Sequence, residues 1–596
     1  MINRRDFLSQ ALACSAAAGL AAAWPRSIAA SIPASNRPGG TAHRASVADF
    51  GADPTGVRDV TDAVQRAIAS LGLSQARLVF PPGKYNFAAS DSCAMSFRNY
   101  NGLEVFGNGA ELIFNGNTRP FLLSACRNVE IHDIKIDWAR PPFSQGTVTT
   151  VAGGNPPSFT VVLDPDFPAD GTESVEWLSE YDAKTGLPAA GGLDASGVIR
   201  SVRLSAPQTL TLACSQPLAV KPGMRLMLRH RVAAAACLHL EACDTVLLES
   251  VAIFAGPGKG AVLHGCRDVS LEDFSVMPRP QSRRWLSLCG RGVEMVGCEG
   301  TVAIKRSQFK GTGDDAFHIY QPYWKISSRV DETTVMLEGT GKQALPLWQL
   351  PSAGTILQLT DAANLSLLGE IAVASCENTP AGTKLAFSET LSPVIKPGTL
   401  VCSVLKQARA TIDHCSFSGN RGRGVVAHAR TRIVNSRFHG CSGPAIQFAA
   451  NPEAMAGPVV QSVSVTDSTI DLCNYGGQEE RRGAILVGAA RDARLAAAPA
   501  QRINQGVTLS RNLIGNVSGP AIDCADASWL TIEGNTFGRC DVSARPADKP
   551  RAIVLRNVAQ SQIDGNQSKL PQQIVLIGCT DTAVAVNNEP MVAVKA

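Results

Sequence analysis

The sequence predicts an all-β protein: a right-handed parallel β-helix (a solenoid) with two inserted small β-barrel modules and an N-terminal capping helix. One phrase recurs, a cysteine followed by a short turn and a strand with alternating apolar residues, and it begins at Cys126, Cys243, Cys266 and Cys298. The spacing from Cys243 to Cys266 is 23 residues. A period of about 20–25 residues built from short strands and turns indicates a solenoid. Because the strands leave no space for a helix between them, a β-helix fits better than a leucine-rich repeat.

Composition supports one soluble array. Of the 596 residues, 45% are hydrophobic and 18% are charged, which excludes a disordered chain and disfavours a polytopic membrane protein. The formal net charge of +4 is small for this length and does not indicate a nucleic-acid partner. Length alone would allow about three to five domains, and the repeat favours a single long array instead.

The first 30 residues have the pattern of a twin-arginine signal peptide. Arg4 and Arg5 precede an Ala-rich apolar stretch and then small residues suited to signal peptidase. We therefore expect export in the folded state, to the periplasm or beyond, and no membrane association after removal of the signal. Sixteen of the 17 cysteines follow this segment. Because several of them recur at one place in the repeat, we expect buried ladder residues rather than disulfides.

The coil phrase is interrupted twice by hairpin-like segments with Pro and Gly punctuation. Each interruption closes on a Lys-Pro-Gly phrase followed by an apolar run, at Lys221 and at Lys396, which indicates two related modules. After the signal, the β-helix with its capping helix is predicted over residues 45–140, and the first barrel over 141–232. The β-helix coils that carry the site follow over 233–322, the second barrel over 323–405 and the C-terminal coils over 406–596.

The capping helix is predicted from an apolar stripe. Val64, Ala67, Ile68 and Leu71 lie at i, i+3, i+4 and i+7, and Gly72 follows as a stop signal. A helix here would cover the open first coil, whose unpaired strand edges need protection.

The segment GTGDDAFHIY, residues 311–320, carries the candidate chemistry. If Phe317 and Ile319 point into the solenoid, His318 and Tyr320 point outward, and Asp314 with Asp315 heads the strand. Two adjacent carboxylates repel, so one can stay protonated while the other is ionised, as an acid and a base acting on a glycosidic bond require. The same residues could also cap a turn without any chemistry.

The order of phrases along the chain resembles family 110 of the glycoside hydrolases. The similarity lies in NVEIHDIKIDWARPPFSQGTV, GTGDDAFHIYQPYWKI and NRGRGVVAHARTRIVNSRFHGCSGPAIQF. The resemblance implies a β-helix with inserted barrels, and an exo-acting, inverting α-1,3-galactosidase activity. It also implies that Asp314 contributes the general acid and Asp315 part of the general base.

The sequence departs from this family at the site. Arg291 stands where the family pattern has a further catalytic Asp, and Glu294, 21 residues before Asp315, is the nearest carboxylate. Two interpretations follow: either Glu294 stacks one coil from the aspartate pair and replaces the missing carboxylate, or the site has lost or changed its activity. His318 stands where the family pattern has Asn, and Tyr320 where it has His.

Three of these residues, together with two more arginines, are predicted to bind substrate. Arg421 and Arg423 match a family phrase, and an arginine can bind sugar hydroxyls or a carboxylate through two hydrogen bonds. The alternative is that these two arginines only pair with acids along the β-helix. The predicted substrate-binding residues are Arg291, His318, Tyr320, Arg421 and Arg423.

Three functions are compatible with this pattern. The first is an exported glycoside hydrolase with Asp314, Asp315 and Glu294 as catalytic residues. The second is a polysaccharide lyase in which Arg291 or another base abstracts a proton beside a uronate, and the third is a non-catalytic glycan-binding solenoid. In each case the partner is an oligo- or polysaccharide. No cofactor or metal motif is present in the sequence, and nothing in it indicates an oligomeric state.

Overall fold

The computed structural model of the protein is described over residues 43–232, 235–338, 344–403, 407–428, 430–476, 482–488, 501–542, 549–585, 587–588 and 590–595. The predicted signal peptide, residues 1–30, lies outside the described residues. Within the described ranges, no helix is long and apolar enough to cross a membrane.

A β-helix forms most of the protein, as predicted. A typical coil runs through a strand of a front sheet, Val293–Val296, and then two strands of a back sheet, Glu299–Lys305 and Gln308–Lys310, before it returns to the front sheet at Phe317–Pro322. Successive front strands pair in parallel, for example Val293 with Phe317 and Phe317 with Val425.

The front sheet carries the candidate site. Its parallel strands are Cys93–Arg98, Arg119–Ser124, Leu238–Glu241, Ala261–His264, Val293–Val296, Phe317–Pro322, Val425–Ala427, Ile446–Phe448, Ile485–Val487, Ile522–Ala525, Arg551–Arg556, Gln573–Ile577 and Val592–Lys595, and Ala456–Gly457 adds an antiparallel pairing.

The back sheet closes each coil. Its strands are His43–Ser46, Thr55–Asp59, Ser74–Val79, Lys84–Asn86, Asn101–Phe114, Arg127–Trp138, Asp244–Glu249, Ala252–Ile253, Arg267–Glu272, Ser275–Val276, Glu299–Lys305, Gln308–Lys310, Arg409–Asp413, Ser416–Ser418, Thr431–Val434, Arg437–His439, Gln461–Thr466, Thr469–Asp471, Asn504–Ser510, Leu513–Gly515, Ala527–Glu533, Thr536–Phe537, Ala559–Asp564, Gln567–Ser568 and Thr580–Val584.

Identical side chains stack on one another inside the coils. Phe417 is sandwiched between Phe309 and Phe438, with ring centroids 5.2 and 4.8 Å apart and rings inclined by 7° in both pairs. In the C-terminal coils, Asn512 donates through its side-chain amide to Asn535 Oδ1 at 3.0 Å. These ladders arise because parallel coils in register place equivalent positions about 4.8 Å apart.

The cysteines behave as the sequence predicted. All sixteen cysteines in the described part of the chain are unpaired thiols, and only Cys93, Cys376 and Cys579 are partly exposed. Burial raises the pKa of several of the buried thiols, such as Cys289, whose pKa rises to about 12. These thiols therefore act as small apolar ladder residues.

Thiol titration of the native protein, with residues 1–30 removed, is expected to detect no more than the three partly exposed cysteines. After denaturation in guanidinium without reductant, all sixteen should react with the same reagent. A denatured count lower by two or more would show disulfides and contradict the ladder.

The first insert is an antiparallel sheet of seven strands in an open order. Its two edge strands, Asp194–Ser196 and Ile199–Ala206, do not pair with each other. On the first of them, Asp194 forms an ion pair with Arg421 of a β-helix coil. The strands along the sheet are Asp194–Ser196, Trp177–Tyr181, Arg225–Arg229, Phe143–Ala152, Ser158–Leu163, Thr209–Cys214 and Ile199–Ala206.

The second insert is a closed barrel of six strands with a core of its own. Around the barrel the strands are Trp324–Arg329, Thr334–Glu338, Gly382–Phe387, Leu367–Thr379, Ile356–Thr360 and Leu400–Ser403. A 3-10 turn, Leu347–Gln349, contacts the front sheet through Trp348, which stacks on His264 with ring centroids 5.0 Å apart.

The helix Thr61–Ala69, α1, lies at the predicted place near the start of the solenoid. It buries Ala63, Val64, Ala67 and Ile68 in the same apolar core as the coils. A second 3-10 turn, Val47–Phe50, contacts this helix.

Candidate active site

The aspartate turn, residues 311–316, connects a back strand to a front strand and is held from the following coil. Thr312 Oγ1 donates to the carbonyl of Asp314 at 2.7 Å, and the backbone N–H of Thr312 donates to Asn420 Oδ1 at 3.1 Å. Close packing of successive coils explains two glycines here. A Cβ at Gly313 would lie 2.4 Å from the carbonyl oxygen of Cys289, and one at Gly422 would lie 2.6 Å from the backbone nitrogen of Asp315.

Asp315 lies between two arginines of neighbouring coils. Val293, Phe317 and Val425 are aligned in three neighbouring strands of the front sheet. The residues two positions before them, Arg291, Asp315 and Arg423, are therefore stacked in the same order. Asp315 Oδ1 accepts a hydrogen bond of 2.9 Å from the backbone N–H of Arg423. Its Oδ2 lies 3.4 Å from Arg423 Nη1 and 3.8 Å from Arg291 Nε.

The two aspartates differ in exposure. The side chain of Asp314 is 42% exposed and lies with Oδ2 3.5 Å from Arg291 Nε, whereas that of Asp315 is 2% exposed. Desolvation by the surrounding groups, followed by the negative charge of Asp315, raises the pKa of Asp314 above its ordinary value, although Arg291 opposes the shift. A carboxyl with a raised pKa and a side chain that a ligand can reach has the properties of a general acid.

Glu294 lies at the site but not where the 21-residue spacing placed it. It pairs in register with His318, three residues beyond Asp315, because the alignment of Val293 with Phe317 makes this coil 24 residues long. Both of its oxygens are engaged, Oε1 by Lys259 Nζ and Oε2 by Arg291 Nη1. Burial raises the pKa of Glu294, but the charges of Lys259 and Arg291 outweigh burial and hold this pKa below its ordinary value.

Arg291 is the centre of this ion network. Burial lowers its pKa, but the charges of Asp314, Asp315 and Glu294 more than compensate, and the net pKa is raised. The guanidinium therefore stays charged and links three carboxylates. Lys259 completes the network, but sequence reasoning missed it because no motif connects it to Glu294, 35 residues later.

His318 lies on the outer face of its strand and is nevertheless only 7% exposed. Its Nε2 is 3.3 Å from Nε2 of His428 in the next coil, a residue that no motif indicated. Burial, followed by the charge of Arg291, holds the pKa of His318 well below its ordinary value, so the ring is neutral. Tyr320 packs on His318 with ring centroids 4.8 Å apart, and burial raises the pKa of its hydroxyl to about 12.

Arg421 connects the first insert to the aspartate turn. Its guanidinium stacks 4.4 Å above the ring of Trp177 and binds both carboxylate oxygens of Asp194. On the same ring lies Arg229, 4.5 Å from the centroid, whose Nη1 donates to the carbonyl of Gly313 at 2.8 Å. Arg421 Nη1 lies 3.3 Å from the same carbonyl. The insert thus holds the residue that precedes Asp314, which sequence reasoning did not anticipate.

The predicted site residues therefore occupy one region, with different surroundings. Asp314 is the exposed carboxyl, while Asp315 and Glu294 are buried in ion pairs. Among the described residues, no group of three His, Cys, Asp or Glu side chains has an arrangement suited to a metal ion.

Two family models match parts of the chain: "Right handed beta helix region" over residues 401–588, and "Rhamnogalacturonase A/epimerase, pectate lyase-like" over residues 45–119. An exopolygalacturonase of family 28 from Yersinia enterocolitica has a similar chain path, with 14% identity, a TM-score of 0.42, and coverage of 92% of this chain and 79% of that one. The family models agree with the coils described above, and the chain has a right-handed β-helix fold.

Sequence comparison identifies more specific relatives. Alpha-1,3-galactosidase B of Bacteroides thetaiotaomicron is 25% identical over 69% of this chain and 72% of its own length. Alpha-1,3-galactosidase A of Shewanella woodyi is 22% identical over 73% of this chain and 77% of its own length. Alpha-1,3-galactosidase A of Bacteroides fragilis is 20% identical over 89% of this chain and 93% of its own length. The chain is thus a distant relative of proteins with these names, in agreement with the resemblance to family 110 of the glycoside hydrolases.

Proposed function

We propose that the protein is an exported glycoside hydrolase that removes a terminal α-galactose-like residue from a glycan with inversion of configuration. The observation that carries this proposal is the aspartate turn, where an exposed carboxyl with a raised pKa, Asp314, adjoins a buried, ion-paired carboxyl, Asp315. The names of the relatives, α-1,3-galactosidases, support the substrate class.

The proposed mechanism assigns one proton transfer to each aspartate. Asp314 donates its proton to the glycosidic oxygen as the bond to the anomeric carbon breaks, which lets the leaving sugar depart as an alcohol. Asp315 accepts a proton from the water that attacks the opposite face of that carbon, so the product has inverted configuration. Its contact with the N–H of Arg423 orients the accepting carboxylate.

Arg291 and Glu294 support this pair. Arg291 lies within 4 Å of both aspartates and is held by Glu294. Because both oxygens of Glu294 already accept from cations, its role in this mechanism is to orient Arg291 next to the reacting groups. Arg291 can also donate to a sugar hydroxyl from this position.

The proposal predicts the stereochemistry of the first product. Proton NMR of a freshly mixed reaction with an α-1,3-linked galactosyl disaccharide should show β-galactose before mutarotation. Early α-galactose would contradict inversion but not hydrolysis. Absence of turnover on α-1,3-, α-1,4- and α-1,6-linked galactosides would contradict the proposed substrate class.

A lyase that uses Arg291 as its base is disfavoured. Three neighbouring carboxylates raise the pKa of Arg291, so this residue cannot readily accept a proton. A non-catalytic glycan-binding solenoid is favoured by one observation, the ion pairing of Arg291 with Glu294 in place of a free carboxylate. Aspartate-dependent turnover of any glycan would exclude that alternative.

The twin-arginine pattern of residues 1–30 supports export to the periplasm or the medium. Fractionation of cells that express the full chain should place the processed protein outside the cytoplasm, and replacement of Arg4 and Arg5 by lysine should retain it inside.

A further inference from the structure

A cleft of about 840 Å³ lies on the outer face of the front sheet and adjoins the ion network of the candidate site. Glu294 and Lys259 line the end of the cleft that adjoins this network. From Glu294 the lining continues through Val262 to His239. These three residues occupy the same register position in three successive coils. Arg119 lines the cleft one coil further from Glu294, so four coil steps, about 19 Å in all, separate it from the aspartate turn.

Two polar atoms in the lining have no partner. Arg119 Nε is a donor and Asn117 Oδ1 is an acceptor, and among the described residues neither buried atom has a hydrogen-bond partner. Buried polar atoms are nearly always paired, so two in one cleft point to a ligand that is not part of the chain. A sugar hydroxyl donates and accepts at once, which fits one orphaned donor beside one orphaned acceptor.

The charges in the cleft are balanced. Burial, followed by the charges of His264, Arg119 and Lys259, lowers the pKa of His239 to about 4, so this ring is neutral at pH 7. Lys259 forms an ion pair with Glu294. The lining contains one further charge of each sign, Arg119 and Asp91. A lining of neutral and balanced polar groups favours an uncharged saccharide over a polyanion.

We infer that this cleft is a second saccharide subsite, in which Asn117 and Arg119 bind the neutral glycan on the leaving-group side of the cleaved bond. The inference rests on the proposed function, because it places the terminal residue at Asp314 and the rest of the chain along the front sheet. The preferred substrate is accordingly an oligosaccharide rather than a small galactoside.

Two substrates test the subsite: a neutral pentasaccharide with terminal α-galactose, and p-nitrophenyl α-galactoside, which is too short to reach Arg119. The substitution Arg119→Met keeps the length of the side chain and removes its donors. We expect the ratio of kcat/KM for the pentasaccharide to that for the aryl galactoside to fall about tenfold, mainly through KM. Asn117→Ala should lower the same ratio.

Arg98→Met is the matched control, because Arg98 is an exposed arginine on the neighbouring front strand and does not line the cleft. An unchanged ratio in Arg119→Met, or an equal loss on both substrates, would overturn the subsite. If the wild-type protein cleaves neither substrate, this result contradicts the proposed function and not the subsite specifically.

The subsite can also be tested without turnover. Calorimetric titration compares binding of the pentasaccharide to Asp314→Asn and to the double variant Asp314→Asn with Arg119→Met. Binding should be about tenfold weaker in the double variant. Equal affinities, or no binding to either protein, would overturn the subsite, as would affinity more than tenfold higher for a uronate-containing pentasaccharide.

Discussion

Replacement of Asp314 by asparagine is expected to lower kcat/KM for an α-galactoside by about 10²- to 10⁴-fold, the usual contribution of a general acid. Asparagine retains the shape of the side chain but cannot supply a proton. The raised pKa of Asp314 favours its protonated form, and the 42% exposure of its side chain lets a ligand reach it. Initial rates at the pH optimum of the wild-type protein measure the effect.

A turn aspartate elsewhere provides the control. Asp273 is 46% exposed, also forms an ion pair with an arginine, and has a positive φ that asparagine accepts. Asp273→Asn should therefore keep wild-type rates, and full activity in Asp314→Asn would refute the assignment.

The leaving group separates the acid from the base. A 2,4-dinitrophenyl leaving group departs without protonation, so Asp314→Asn should cleave this galactoside at nearly the wild-type rate. Asp315→Asn should remain slow on it, because the attacking water still needs a base. Equal losses for the two variants on this substrate would contradict the division of roles.

The coil architecture was predictable because the β-helix repeats a local pattern. The recurrent cysteines and the alternating strands mark the interior positions, and these are the positions that stack in the structure. Spacing is a poorer guide to register. Glu294 was expected beside Asp315 from a 21-residue spacing, but the apolar pair Val293 and Phe317 sets the register of this coil, and Glu294 aligns with His318 instead.

The contacts made by the first insert could not be predicted from sequence. Asp194 and Arg421 are 227 residues apart, and no repeat connects an inserted sheet to the coil on which it packs. The resemblance to a glycosidase family identified Arg421 as a substrate-binding residue, whereas its carboxylate partner and its stacking on Trp177 fix it against the insert. Such a contact depends on how the inserted sheet packs on the β-helix.

Replacement of Arg291 by leucine is expected to destabilise the protein and to change its pH dependence. Loss of the guanidinium leaves the buried Glu294 with Lys259 as its remaining partner, which should lower the free energy of unfolding by about 1–3 kcal/mol at pH 7. Urea denaturation measures this loss. Because the folded-state pKa of Glu294 is lowered, the stabilisation exists above its unfolded pKa of about 4.3 and disappears as the pH falls through the folded value.

The same substitution should move the pH–rate profile toward higher pH. Arg291 opposes the rise in the pKa of Asp314, so without it this pKa rises further. A general acid works only while protonated, and the alkaline limb of kcat/KM should therefore shift upward by about 1–3 pH units, the usual effect of a charge at this distance. Arg291→Lys keeps a positive charge and should keep the limb near its wild-type position. A limb that stays in place in Arg291→Leu would mean that Asp314 is not the group whose proton is transferred, even if the stability loss is observed.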